Sequence, residues 1–149
     1  MPEGMPLFSN ILVPVDGSQA SMNAGRLAVR LAVLAEARIA FLYVVDRQAA
    51  QQIAASSRKD PQLVESELAA SGDRCLRRLV RLAEEAGLHP DRHMRIGQPA
   101  QEIGDLAGEQ GADLVVIGQI GRGGLRRVLI GSVTERVIEH AGCPVLVVR

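Results

Sequence analysis

Two segments of the chain carry residue types that could bind a charged ligand. The first is Asp16-Gly17-Ser18, directly behind the apolar run Ile11-Leu12-Val13-Pro14-Val15. The second begins at Gly118, behind Leu114-Val115-Val116-Ile117. It runs through Gln119, Ile120, Gly121, Arg122, Gly123 and Gly124, passes Arg126 and Arg127, and reaches Gly131-Ser132. Glycine tolerates positive φ and lets the backbone approach a ligand with no Cβ in the way. Successive N–H groups can then converge on an anion. A helix that starts at Gly131-Ser132 adds unpaired N–H groups and a partial positive charge. Together these features describe a polyphosphate site. Taken singly they have plainer uses. Ser132-Val133-Thr134-Glu135 has the form of a capping box, which would make Ser132 an N-cap. Gly118 and Gly121 could serve a turn, and Asp16 could cap the first helix.

The elements that position these segments follow from hydrophobic period. Short apolar runs predict strands at 11–15, 39–45, 114–117 and 145–148, with a weaker alternating strand over 89–96. Ala24, Leu27, Ala28, Leu31 and Leu34 predict a helix over 19–36. Asp60-Pro61 signals a second helix, lined by Leu63, Leu68, Leu76, Leu79, Val80 and Ala83 and ending near Gly87. Gly72 predicts a kink or break inside it. Pro99 opens a third helix that Gly111 closes, and Val133, Val137, Ile138 and Ala141 line a fourth. Residues 47–60 read as a flexible surface loop, with a partly helical stretch as the alternative. Strands alternating with helices give a single α/β domain over 1–149, ordered from about residue 8, with an open parallel sheet covered on both faces. Ligands of such sheets bind beyond the carboxyl ends of the strands, where strand order reverses. Both glycine-bearing segments lie there.

Composition and motif spacing exclude several functions. Basic and acidic residues balance at 17 each, so no net field favours nucleic acid or an anionic membrane. Aromatic residues are 2% with no Trp, too few for a base-stacking platform. No apolar run is long enough for a transmembrane helix, and Met1–Pro6 does not resemble a signal peptide. The expectation is a soluble cytoplasmic protein. Cys75 and Cys143 form no CxxC pair and read as small buried residues. His89, His93 and His140 lack metal-ligand spacing; His140 suits a helix C-terminus. GxxxxGK[ST] is absent, and the third glycine needed after Gly121-x-Gly123 is Arg126, so neither a P-loop nor a Rossmann fingerprint is present. No GxSxG elbow appears. Arg74, Arg77, Arg78 and Arg81, with Glu84 and Glu85, read as a solvated helix face. The last strand, Val145–Val148, has no following helix and reads as an exposed apolar edge that invites pairing with another chain.

Gly118-x2-Gly121-x9-Gly131-Ser132 matches the G-2x-G-9x-G-[ST] signature of the ATP-binding branch of the universal stress protein family. Residues 11–18 resemble that family's first strand and acidic turn, and Leu42-Tyr43-Val44-Val45 its second strand. Residues 112–118 and 143–148 resemble its last two strands. The resemblance covers the chain from about Asn10 onward. It implies a Rossmann-like fold of the adenine nucleotide alpha hydrolase type, with strand order 3-2-1-4-5. It implies that Pro14 and Val44 line an adenine pocket and that Asp16 faces ribose or a nucleotide-bound Mg ion. Gly118, Gly121, Arg122, Gly123 and Gly124 would wrap ribose and phosphates, and Gly131, Ser132, Val133 and Thr134 would hold the terminal phosphates. It further implies a homodimer through Val145–Val148 and a nucleotide-dependent role in stress response through a downstream protein. No residue presents itself as a base for phosphoryl transfer, so little or no ATP hydrolysis is expected. A slow Mg-dependent ATPase and a nucleotide-free dimeric interaction module are the alternatives.

Overall fold

In the computed structural model, which describes residues 4–121 and 129–149, five parallel strands form one sheet. The strands are β1 (Asn10–Val15), β2 (Arg38–Asp46), β3 (Asp91–Gly97), β4 (Leu114–Gly118) and β5 (Val145–Val148). The helices are α1 (Gln19–Ala35), α2 (Arg47–Ser57), α3 (Pro61–Glu85), α4 (Pro99–Gln110) and α5 (Ser132–His140). The sheet order is β3-β2-β1-β4-β5, so strand order reverses between β1 and β4.

The central strands are apolar on both sides because both of their faces are covered. Ile11, Val13, Phe41, Tyr43 and Val116 point into one core, together with Ala24, Ala28 and Val29 of α1 and Leu76, Leu79 and Ala83 of α3. Leu12, Leu42, Val115 and Ile117 point the other way, against Ile103 and Leu106 of α4 and Val137 of α5. Each fully buried side chain of this size contributes roughly 1.5–3 kcal/mol.

Pairing of β1 with β2 runs from Asn10↔Arg38 to Val15↔Tyr43. Pairing of β1 with β4 joins only Ile11↔Leu114 and Leu12↔Val115. Pro14, which has no N–H, lies beyond that second ladder. The two strands are therefore unlaced at their carboxyl ends, on either side of the switch point.

Several elements differ from the sequence expectation. Residues 47–57 form α2 rather than a loop. Its N-cap is Asp46, whose Oδ1 accepts hydrogen bonds from the N–H groups of Gln48 (3.1 Å) and Ala49 (3.2 Å). Its buried seam consists only of Ala50 and Ala54, packed on Val64 and Leu68. Helix α3 runs unbroken through Gly72. A Cβ there would come within 2.6 Å of the Tyr43 ring, so the glycine permits close helix–sheet packing instead of marking a break. At the start of α3 the buried residue is Val64, and Leu63 is exposed. In α5 the buried residues are Thr134 and Val137, while Ile138 is exposed. Strand β3 is an edge strand with charged side chains held to both layers. Arg92 pairs with Asp73 of α3 at 3.6 Å, and Arg95 pairs with Glu109 of α4 at 2.5 Å. Such charges discourage edge-to-edge association and explain the weak hydrophobic pattern of this strand. Among the described residues, no helix is long and apolar enough to cross a membrane.

Candidate functional site

The carboxyl ends of β1, β2 and β4 and the first turn of α5 enclose a cavity of about 800 Å³. That volume is within the range of small-ligand pockets. Pro14 and Asp16 reach it from β1 and its following turn, and Val44 from β2. Gly118 and Gly121 reach it from β4 and the segment after it. Gly131, Ser132, Val133 and Thr134 reach it from the start of α5. These nine positions, scattered over the sequence, line one space. Arg122, Gly123 and Gly124 lie outside the described residues, as do Arg126 and Arg127.

The turn after β1 is built from side chain to backbone. Asp16 Oδ1 accepts from the N–H of Ser18 at 2.9 Å, and Gly17 takes φ +82°. The Ser18 hydroxyl accepts from the N–H of Ser21 at 3.2 Å. The N-cap of α1 is therefore Ser18, not Asp16. Asp16 orders the turn with one oxygen, while Oδ2 faces the segment after β4, where a Cβ on Gly121 would strike it.

The start of α5 is arranged differently. Its N-cap is Gly131, with no side-chain cap hydrogen bond, and Ser132 is the first helical residue. The capping-box form at 132–135 is thus not realised, because the helix starts one residue before it. The Gly131 carbonyl accepts from the N–H of Glu135 at 2.9 Å. The amides of the first turn stand at the cavity wall, where the helix dipole favours negative charge. The Thr134 hydroxyl is already committed, donating to the Gly118 carbonyl at 2.7 Å in a buried site. Thr134 therefore ties α5 to β4 and offers the cavity its main chain.

The glycines play unequal parts. A Cβ on Gly118 would lie 2.8 Å from the Ser21 nitrogen and 2.9 Å from the Ala20 carbonyl carbon, so α1 itself demands glycine there. A Cβ on Gly131 would meet only ordinary contacts, 3.4 Å from Ile120 Cα and 3.5 Å from the Gly121 nitrogen. Internal packing thus does not require Gly131 to lack a side chain, and a branched residue would extend into the cradle. Gln119 braces the same region. Its N–H donates to the Val148 carbonyl at 2.7 Å, its carbonyl accepts from the N–H of Gly131 at 2.8 Å, and its side-chain amide donates to the Leu129 carbonyl.

Several lining residues were not singled out from the sequence for this site. Ala49 and Ile53 of α2 and Leu68 of α3 form an apolar wall beyond β2, and Pro99 and Ile103 of α4 close the opposite side. The i,i+4 spacing of Ala49 and Ile53 was the available signal, hidden by reading 47–60 as a loop. The histidines stay outside the cavity. His140 Nδ1 lies 2.9 Å from the Arg136 carbonyl at the end of α5, and His93 meets the Gln110 side chain at 2.7 Å. Cys75 is buried with Sγ 3.5 Å from Met22 Sδ, and burial pushes the partly buried Cys143 thiol up from its ordinary pKa. Among the described residues, no three His, Cys, Asp or Glu side chains gather as a metal site.

The fold has counterparts among known proteins. A universal stress protein of Methanocaldococcus jannaschii is 38% identical over 146 residues, which is 98% of this chain and 85% of the relative. The solved UspA of Lactobacillus plantarum superposes with a TM-score of 0.78 at 33% identity, covering 95% of this chain and 97% of that one. Two more distant solved universal stress proteins share the fold. One is in complex with cAMP (TM-score 0.66, 24% identity, 95% of this chain and 97% of that one), and one from Archaeoglobus fulgidus is in complex with dAMP (TM-score 0.64, 22% identity, 97% and 100%). Residues 7–149 match the universal stress protein family as a whole, and the chain belongs to that family.

Proposed function

We propose that the cavity between β1, β2, β4 and α5 binds an adenine nucleotide, ATP foremost, and that binding makes this chain a nucleotide-dependent regulatory module in stress response. The observation that carries this reading is the first turn of α5. A glycine N-cap without a side-chain cap opens onto a cavity of about 800 Å³, and a Cβ on Gly131 would meet only ordinary van der Waals contacts. Pro14 and Val44 offer apolar surface for the base, and Val44 offers its main chain for base hydrogen bonds. The amides of Ser132, Val133 and Thr134 face the terminal phosphates. Arg122, Gly123 and Gly124 complete the phosphate wrap, and Asp16 faces ribose or a Mg ion carried by the nucleotide. The cAMP and dAMP complexes of the distant relatives support the same ligand class.

Turnover is little or none in this reading. Phosphoryl transfer requires a group that orients the nucleophile. Asp16 and Asp46 at the cavity both spend an oxygen on the start of a helix or turn. In this reading the chain pairs as a homodimer in the cytoplasm through β5 (Val145–Val148), which stands at the edge of the sheet with β4 on its inner side.

Calorimetric titration with ATP, together with mass spectrometry of nucleotide released from gently purified protein, tests the proposal. Binding of ATP, ADP or AMP is expected. Absence of binding at millimolar nucleotide (a Kd weaker than about 1 mM) would leave a nucleotide-free interaction module. Sustained phosphate release above about 1 per second would make the protein an ATPase instead.

A further inference from the structure

Helix α2 has two apolar rows, and only one of them is packed. Ala50 and Ala54 are buried against Val64 and Leu68 of α3. Ala49 and Ile53 form the second row, also one turn apart, about 100° around the helix from the first. Both line the cavity, and Ile53 is 43% exposed. A single exposed isoleucine on a convex surface would need no explanation. Here it stands on a concave wall, continuous with Ala49 and with Leu68 of α3.

Little else holds this helix along its length. Two alanine side chains bury a small apolar area. The Arg47–Glu65 ion pair is 3.9 Å long with Arg47 exposed, and such a pair contributes little. Arg58 closes the helix at φ +55°, a conformation that is costly for a residue with a Cβ. The firm attachment is at the other end, where Asp46 caps the first turn. No loop separates β2 from α2: Asp46 is the last residue of the strand and Arg47 the first of the helix. Helix α2 is therefore pinned beside Val44 and lightly fastened beyond it.

We propose that Ile53 packs on the base of the bound nucleotide and that this contact couples the order of α2 to occupancy of the cavity. The inference rests on the nucleotide reading above and adds a positioning residue and a responsive element to it. The sheet order carries the geometry. The first turn of α5 lies at the β4 end of the cavity, and β2 is two strands away, about 10 Å at the usual strand spacing. A nucleotide with its phosphates at α5 and its ribose at Asp16 then directs its base past β1 to Val44, and the wall beyond Val44 is α2. Helix α2 touches α3, β2 and β3, so it closes that end of the cavity. An apolar ring seated there would give the second row of α2 the partner it lacks, and binding would favour the docked helix by that added contact.

Hydrogen exchange and calorimetry on the whole chain test the proposal. ATP is expected to slow amide exchange across 47–57, while inorganic tripolyphosphate, which has no base, leaves that segment unchanged. Ile53→Ser is expected to weaken ATP by about tenfold and to abolish the ATP-induced slowing, with melting of the unliganded protein unchanged. Ile53→Leu is expected to restore both. Gln52→Ser, on an exposed side of α2 away from the cavity, is expected to bind ATP as the parent does. ATP binding to the parent without slowing at 47–57 would overturn the coupling. Undiminished affinity in Ile53→Ser, an equal loss in Gln52→Ser, or a lowered melting temperature of unliganded Ile53→Ser would overturn the base contact, the last by showing that Ile53 serves internal packing. In all of these the nucleotide reading stands; absence of ATP binding to the parent chain would remove both.

Discussion

Two helices begin beside the cavity, and they begin in opposite ways. Helix α1 is closed: Ser18 caps it, Asp16 holds Ser18, and Gly118 lets β4 pass close against its first turn. Helix α5 is open: its N-cap is a glycine, its serine is one residue too late to cap, and its hydroxyl-bearing Thr134 turns back onto β4. The closed start supplies stability, and the open start leaves first-turn amides at the cavity wall, where the proposed nucleotide would use them. Similar residue types, Gly and Ser at the mouth of one cavity, therefore serve different ends. The difference is visible only in which atom meets which.

Substitutions can break this comparison. The largest expected effect is at the open start. Gly131→Val should weaken ATP by about 100-fold, equivalent to about 2.7 kcal/mol, while thermal melting shows a stability loss of only about 1 kcal/mol. Unchanged affinity in calorimetry would show that the α5 amides do not face the phosphates. Gly118→Ala should act on the fold, because its Cβ would press on the backbone of Ala20 and Ser21. About 1–3 kcal/mol of destabilisation in a denaturant titration is expected. Thr134→Val removes the buried donor to the Gly118 carbonyl and should cost about 1–2 kcal/mol. Ser18→Ala should cost about 1 kcal/mol with ATP affinity held. Ser132→Ala should change stability by less than about 0.5 kcal/mol, because Ser132 is not the cap; a loss equal to that of Ser18→Ala would restore the capping-box reading.

The legible part of the molecule was the part where burial imposes a strong pattern. Strands β1, β2 and β4 are continuous apolar runs because helices cover both of their faces, and the switch-point rule then located the cavity. Helix α2 was illegible because its buried seam is two alanines, Ala50 and Ala54, too small to register as a hydrophobic stripe. Its cap, Asp46, also ends a strand, and a residue with two duties reads as one. Gly72 was misread for a different reason. A glycine inside a helical pattern signals weakness unless the aromatic ring it accommodates is known, and Tyr43 lies 29 positions earlier in the chain. Ser132 showed how little separates a cap from a first helical residue: sequence fixes the order of residues but not the one-residue offset at which a helix starts.

Gln119 ties distant parts of the sheet together through a single residue. The amide that meets the last carbonyl of β5 and the carbonyl that receives the first amide before α5 belong to the same backbone unit. A tug on the outer strand and a push from inside the cradle converge on one pivot. Where the cavity holds the proposed nucleotide and β5 meets the proposed second copy, any coupling carried through Gln119 would be reciprocal. The sheet's rim and its contents would then be one residue apart.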